Sequence, residues 1–262
     1  MSDDKIIAKR DGAIGWLIFN NPERRNAFSR DMAIRAAEVI DEFEADDGVV
    51  VVAVTGTGGK SFVSGADISE FEKYRKDQAT AAKYEKQTRA MFTKLREIQK
   101  PTVAVIKGFC FGGGMGVACA CDLRICSDDS IFSIPAARLG IGYRANATRW
   151  VVDAVGPANA KEILLTARRY DAAEAFRMGL VNRVASAAEF ESFTQEYLAA
   201  IADNAPLAMK TSKVTINEVS KGLGECDEAL CDGLANACAD SEDYREGRTA
   251  FMEKRRPVFK GK

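Results

Sequence analysis

The sequence predicts an α/β core followed by an all-helical C-terminal part. Short β-branched runs alternate with segments of helical periodicity as far as Val184. From Ala187 onward the pattern is helical to the end. Between Thr102–Ile106 (TVAVI) and Val117–Cys121 (VACAC) lies a glycine-rich stretch, Lys107 to Gly116, that includes Gly108 and the run Gly112-Gly113-Gly114. A strand therefore enters a glycine turn and a helix of small residues leaves it. The first turn of such a helix aims unpaired backbone N–H groups at whatever lies above it. That suits a phosphate, a carboxylate or a developing oxyanion. Close strand–helix packing alone would also account for the glycines.

In chain order, Lys5–Lys9 and Ile14–Asn20 read as strands around the turn signal Asp11-Gly12. A polar loop with Arg24 and Arg25 follows. Ser29 is placed to cap a helix whose apolar positions, Met32, Ala36, Val39, Ile40 and Phe43, recur at helical spacing. Asp46-Asp47-Gly48 ends it, and Val49–Thr55 is a continuous apolar run, as in a parallel strand covered on both faces. Gly56–Ser61 ends like a phosphate-binding loop, but Val54 stands where that motif needs glycine and no helical pattern follows. Ser64-Gly65-Ala66-Asp67-Ile68 is a second turn of small residues. It opens into a helix from about Ser69, through Tyr74 and Tyr84, to Ile98, with room for a break, and Pro101 closes it. Leu123–Cys126 is a strand, Phe132–Pro135 is short and extended, and Leu139–Arg149 is a candidate pocket segment. The Gly156-Pro157 break precedes a helix over Ala158–Thr166, Asp171 caps Ala172–Met178, and Leu180–Val184 is the last strand. Breaks at Asn204–Pro206, Gly222–Gly224 and Asp240-Ser241 divide the helical part.

Composition narrows the chemistry. The chain has 262 residues, 47% of them hydrophobic, with 37 basic against 38 acidic, which argues against nucleic acid as a partner. No apolar run reaches the ~20 residues of a membrane span. The N-terminal residues lack the apolar core of a secretory signal. Seven cysteines without a C-x-x-C pair fit a reduced, cytoplasmic setting and no zinc pattern. There is no histidine, so Ser-His and Cys-His nucleophile schemes are excluded, as is a histidine-based metal site. Any catalysis must run on carboxylates, Tyr, Lys, Arg or backbone dipoles.

The two small-residue turns, Ser64–Ile68 and Lys107–Gly114, each follow a strand. Together with Arg25-Asn26-Ala27-Phe28 and Ala172–Arg183 (AAEAFRMGLVNR), they closely resemble the crotonase, or enoyl-CoA hydratase/isomerase, family. The resemblance covers nearly the whole chain. It implies a spiral of ββα units with an all-helical C-terminal region that packs between subunits, usually in trimers or dimers of trimers. It divides the chain into an acyl-CoA-binding core over 1–200 and an oligomerisation region over 201–262. The ligand it implies is an acyl-coenzyme A thioester, with no cofactor beyond the coenzyme A of the substrate. The N–H groups of Ala66 and Gly113 would form an oxyanion hole. Arg25, Ala27, Ser64, Asp67 and Ile68 would bind substrate, and Phe251 and Lys254 would reach a neighbouring subunit's coenzyme A.

The chain departs from the family where hydratases carry two glutamates. Gly116 and Ala136 stand at those positions. Hydration or isomerisation by the usual acid–base pair is therefore not expected. A narrower likeness, over Leu139–Tyr143 and Lys161–Ala167, is to bacterial methylmalonyl-CoA decarboxylases. It implies an active-site role for Tyr143, although Ala66 replaces a histidine of that group. Loss of CO₂ leaves its electrons on the thioester and needs no base, so decarboxylation of a malonyl-type thioester fits such a site. Three readings stay open. One is that decarboxylation, one is a hydratase or isomerase with an unusual acid or base such as Tyr143 or Glu162, and one is a non-catalytic acyl-CoA or RNA binder.

Overall fold

The computed structural model describes residues 4–70, 74, 77–222 and 224–262. β1 (Ile6–Asp11) and β2 (Ile14–Phe19) form an antiparallel hairpin that turns at Gly12, where φ is +58°. α1 (Arg30–Ala45) starts at Ser29, whose side chain accepts the Met32 N–H as the sequence predicts. The chain then repeats one pattern. A strand enters the main sheet, a short strand enters a second sheet, and a helix returns. The first repeat is β3 (Val51–Gly56), β4 (Ser61–Val63) and α2 (Gln78–Glu97). The second is β5 (Thr102–Ile106), β6 (Phe109–Phe111) and α3 (Gly113–Ala120). The third is β7 (Leu123–Ser127), β8 (Ile131–Ser133) and α4 (Ala145–Thr166). β9 (Tyr170–Asp171), α5 (Ala172–Arg177) and β10 (Arg183–Ala185) complete the core. The six-stranded sheet runs β1-β2-β3-β5-β7-β10 and the four-stranded sheet β4-β6-β8-β9. This is the expected spiral of ββα units.

The central strands are apolar at consecutive positions because both faces of the large sheet are covered. Val52 and Val54 of β3 enter the main core with α1, α2 and α3, while Val51 and Ala53 face Phe190 and Leu198 of α6 (Phe190–Ala202). The expected boundary at residue 200 thus falls inside a helix that packs on the sheet. Beyond it lie α7 (Pro206–Val219), α8 (Glu228–Asp240) and α9 (Glu242–Glu253). Among the described residues, α7 buries only Glu218 and α8 none. Lys213 anchors α7 to the core. Its ammonium donates to Asp122 Oδ2 at 2.7 Å and to the Lys100 carbonyl at 3.0 Å.

Four details differ from the sequence expectation. The glycine-rich stretch is not a simple strand–turn–helix, because β6 lies within it. Gly108, at φ +70°, turns the chain from one sheet to the other, and a Cβ there would stand 2.2 Å from the Lys60 carbonyl oxygen. The candidate pocket segment Leu139–Arg149 does line a cleft, but from Ala145 onward it is already the first turn of α4. The polar run Arg144–Arg149 hid this, and its first residue has no side-chain cap. Gly156, at φ +74°, only kinks this helix. The strand expected over Leu180–Val184 forms later and shorter, as β10. Of the helix expected from about Ser69 to Ile98, Ile68–Glu70 is a 3-10 turn, Tyr74 is helical and α2 starts at Gln78, while positions 71–73, 75 and 76 lie outside the described residues.

Candidate active site

β4 and β6 are parallel neighbours, so the turns that leave them meet. A Cβ built on Gly113 would lie 3.3 Å from the Ala66 nitrogen, and one on Gly65 3.5 Å from the Gly113 nitrogen. The surrounding backbone is fixed by its own hydrogen bonds. Phe28 N–H donates to the Gly65 carbonyl and Asp67 N–H to the Phe28 carbonyl, both at 2.9 Å, and Gly112 N–H donates to the Ser133 carbonyl at 2.8 Å. The N–H groups of Ala66 and Gly113 donate to no described group. Two main-chain donors from different repeats are therefore left side by side within a rigid frame. Each glycine has its own cause. Gly112 sits at φ +52° and a Cβ on Gly114 would stand 1.9 Å from the Val63 carbonyl oxygen, which lets α3 begin directly against β4.

Above these donors opens a cleft of about 690 Å³. One wall is a single face of α2, with Tyr84, Thr88 and Phe92, and the other is the segment from Ile134 to Trp150. Of the sequence-predicted residues, Ser64, Ala66, Ile68, Gly113 and Tyr143 line it. Tyr143 is half-buried, packs against the core and makes no hydrogen bond to a described residue through its hydroxyl. Burial pushes its phenol up from the ordinary value, so it stays protonated as a donor.

Gly116 and Ala136 also line the cleft, and the wall there is apolar. A Cβ on Gly116 would meet Phe92 Cε1 at 3.1 Å. The Phe92 ring in turn lies 5.9 Å from Phe28 and 5.8 Å from Trp150, centroid to centroid. Aromatic carbon crowds the point where a glutamate at 116 would begin.

The remaining predicted residues do not line this cleft within the single chain. Arg25 holds its guanidinium over the Phe109 ring at 5.2 Å. Ala27 is half-buried and its carbonyl accepts from Asn21 Nδ2 at 3.0 Å. Asp67 turns to an adjoining groove and pairs with Arg24 at 2.9 Å. Burial works to raise its carboxyl, but hydrogen bonds from Ser69 and the charge of Arg24 hold it below the usual carboxylate range. Phe251 is 82% exposed on α9, and Lys254 is the exposed C-cap of that helix at φ +54°. Glu162 pairs with Arg168 at 3.0 Å, away from the cleft-lining residues.

The sequence reading missed Glu85 and Arg89 in the cleft wall. The signal was present: Ala81, Tyr84, Glu85, Thr88, Arg89 and Phe92 share one helical face. It also missed Asn26, fully buried at φ +56°, which donates to the carbonyls of Thr57 and Ser61 at 2.9 and 2.8 Å and holds the arginine loop onto β4. Among the described residues no cluster of acidic and cysteine side chains is suited to a metal ion.

The family model for enoyl-CoA hydratase/isomerase matches residues 9–262. The chain belongs to that family. The short-chain-enoyl-CoA hydratase of Clostridium acetobutylicum is 34% identical, over 98% of this chain and 97% of its own length. The crotonyl-CoA hydratase of Syntrophomonas wolfei is 32% identical, over 99% of each. A crystal structure of an enoyl-CoA hydratase/carnithine racemase from Magnetospirillum magneticum superposes with a TM-score of 0.95 at 34% identity, covering 100% of this chain and 97% of that one. The crotonase architecture expected from the paired turns is thus the architecture found. As a family member the chain is an enzyme of the crotonase type, and an acyl-CoA substrate is in keeping with it. No helix among the described residues is long and apolar enough to cross a membrane.

Proposed function

We propose that this enzyme binds an acyl-CoA thioester in the cleft and stabilises its enolate with the N–H groups of Ala66 and Gly113. The observation that carries this is the pair of unengaged donors, one from each turn, held next to each other. Preorganised donors of this kind are worth more as charge develops on the oxygen than in the ground state, and removing one costs roughly 3–4 kcal/mol of transition-state stabilisation. No separate cofactor is invoked.

For the chemistry at carbon, loss of CO₂ from a malonyl-type thioester suits this cleft best. The apolar wall at Gly116, Ala136 and Phe92 offers no carboxylate to activate water. When the C–C bond to the carboxylate breaks, its electron pair moves onto the thioester oxygen between the two donors. Collapse of the enolate then takes a proton at the α-carbon, for which the protonated Tyr143 in the cleft wall is the proposed donor and solvent the resupply. A second reading, hydration or isomerisation of an enoyl-CoA with an unusual acid or base, is favoured by the relatives named as hydratases. The exposed apolar residues of the C-terminal region, with Phe251 82% and Met252 77% exposed, support assembly as a trimer or a pair of trimers. The cysteine usage supports a cytoplasmic setting.

The test is to incubate the pure protein separately with methylmalonyl-CoA and crotonyl-CoA. CO₂ release with no loss of enoyl absorbance supports decarboxylation. Absorbance loss alone supports the second reading. Silence with both substrates, and no thioester binding by calorimetry, would overturn the enolate proposal.

A further inference from the structure

The cleft is apolar near the donors but charged at its far end. Glu85, the one carboxylate among its described lining residues, pairs with Arg144 at 2.9 Å, and Arg89 lines the same end. Arg89 makes no ion pair or hydrogen bond with a described residue. Two guanidiniums thus face one carboxylate, and among the described residues this corner of the cleft is net positive.

We infer that this end recognises an acyl group bearing a distal carboxylate, so that the preferred thioesters are those of dicarboxylic acids. The inference rests on the acyl-CoA reading above but not on which reaction follows. Position supports it first. Phe92, which packs against Gly116 and Phe28, marks the end near the donors. Arg89 and Glu85 lie about 5 and 10 Å from it along α2. A six-carbon acyl chain spans roughly 6–7 Å from C1 to C6, so a terminal carboxylate comes within reach of flexible arginine side chains.

Energetics support it second. The Glu85 and Arg144 side chains are 38% and 72% exposed, so their pairing is weak and exchangeable. Arg89 can receive a carboxylate without breaking any pair. Glu85 then serves as a resident counter-ion that keeps Arg144 over the cleft when no anion is bound. A plain hydrocarbon tail in the same place would desolvate the guanidiniums and give nothing back.

The experiment is calorimetric titration of the full-length protein with adipoyl-CoA, hexanoyl-CoA and free coenzyme A. Adipoyl-CoA should bind about tenfold more tightly than hexanoyl-CoA. The R89Q/R144Q double variant should erase that preference and leave hexanoyl-CoA within about twofold of its wild-type affinity. E85Q should widen the preference, because the competing carboxylate is gone. Equal affinities in the wild type, or tighter hexanoyl-CoA, would overturn the inference and leave the acyl-CoA reading standing. If neither thioester binds better than free coenzyme A, the acyl-CoA reading falls with it.

Discussion

Gly113→Ala tests the paired donors directly. The new methyl would lie 2.7 and 2.9 Å from two ring carbons of Phe28 and 3.3 Å from the Ala66 nitrogen. Phe28 is 3% exposed and lies 6.5 Å from Phe19 and 5.9 Å from Phe92, centroid to centroid, so its ring has little room to retreat. The overpacking should cost about 1–3 kcal/mol of stability, read by chemical denaturation. The methyl also crowds the Ala66 nitrogen at 3.3 Å, beside the two donors proposed to hold the oxyanion. Losing effective use of one donor should lower kcat by roughly 10²–10³-fold on whichever thioester is turned over. These two effects separate in G113A/F28L, compared with F28L alone. The smaller side chain relieves the clash, so stability should return to within about 1 kcal/mol of F28L. The methyl remains against Ala66, so activity should not return. A G113A/F28L enzyme with kcat within about threefold of F28L would refute the paired-donor site.

Lys213→Met should destabilise the fold by about 2–3 kcal/mol, because Lys213 is 8% exposed and Asp122 would lose its cation. The Thr102 N–H and hydroxyl, which donate to the same Asp122 oxygen at 2.8 and 3.0 Å, keep the loss below that of a fully isolated buried charge. Denaturation midpoints of K213M, D122N and the double variant would show it, and additive single losses would argue against coupling. Glu246→Gln addresses the tail after α9. Hydrogen bonds from Arg255 at 2.6 and 2.9 Å, and then the Val258 N–H at 2.8 Å, bring the Glu246 carboxyl down from 4.5 to about 2. The folded value lies below the unfolded one, so this stabilisation is complete above 4.5 and is lost as pH falls through about 2. The stability gap between wild type and E246Q should therefore be full near neutral pH and shrink across that acid window. A gap that does not vary with pH would contradict the assignment.

Much of this fold is legible because its signals are local. Ser29 and Asp171 cap helices where they were expected to, and the apolar runs of β3 and β5 fall inside a sheet covered on both faces. What stayed hidden depends on partners distant in sequence. β6 is only three residues and pairs with β4 and β8, so no window of sequence contains its cause. Asn26 looks like one more polar loop residue, yet its amide spans 31 and 35 positions to reach Thr57 and Ser61. For the site, the two turns announce themselves by glycine. The opposite wall was missed for another reason. Glu85 and Arg89 sit on a helix whose charged face normally meets solvent, and only the docking of α2 over the turns makes that face a cleft wall.

Gly116 and Phe92 are one arrangement rather than two. A Cβ at 116 would stand 3.1 Å from the Phe92 ring, so any side chain there asks that ring, set between Phe28 and Trp150, to give by a few tenths of an ångström. Placing glutamate at 116 would therefore press on Phe92, and a smaller residue at 92 would relieve the contact. Even then Ala136 offers only a methyl on the facing segment, so a water molecule would find one acceptor and no second group to hold it. An apolar wall of this kind disfavours a buried carboxylate and does not disfavour the neutral CO₂ and the hydrogen-bonded enolate that replace it. The same wall also leaves the tail of the acyl group without polar contact until it reaches Glu85, Arg89 and Arg144. Reaction type would then be set at the donor end and substrate choice at the charged end, with Phe92 separating the two.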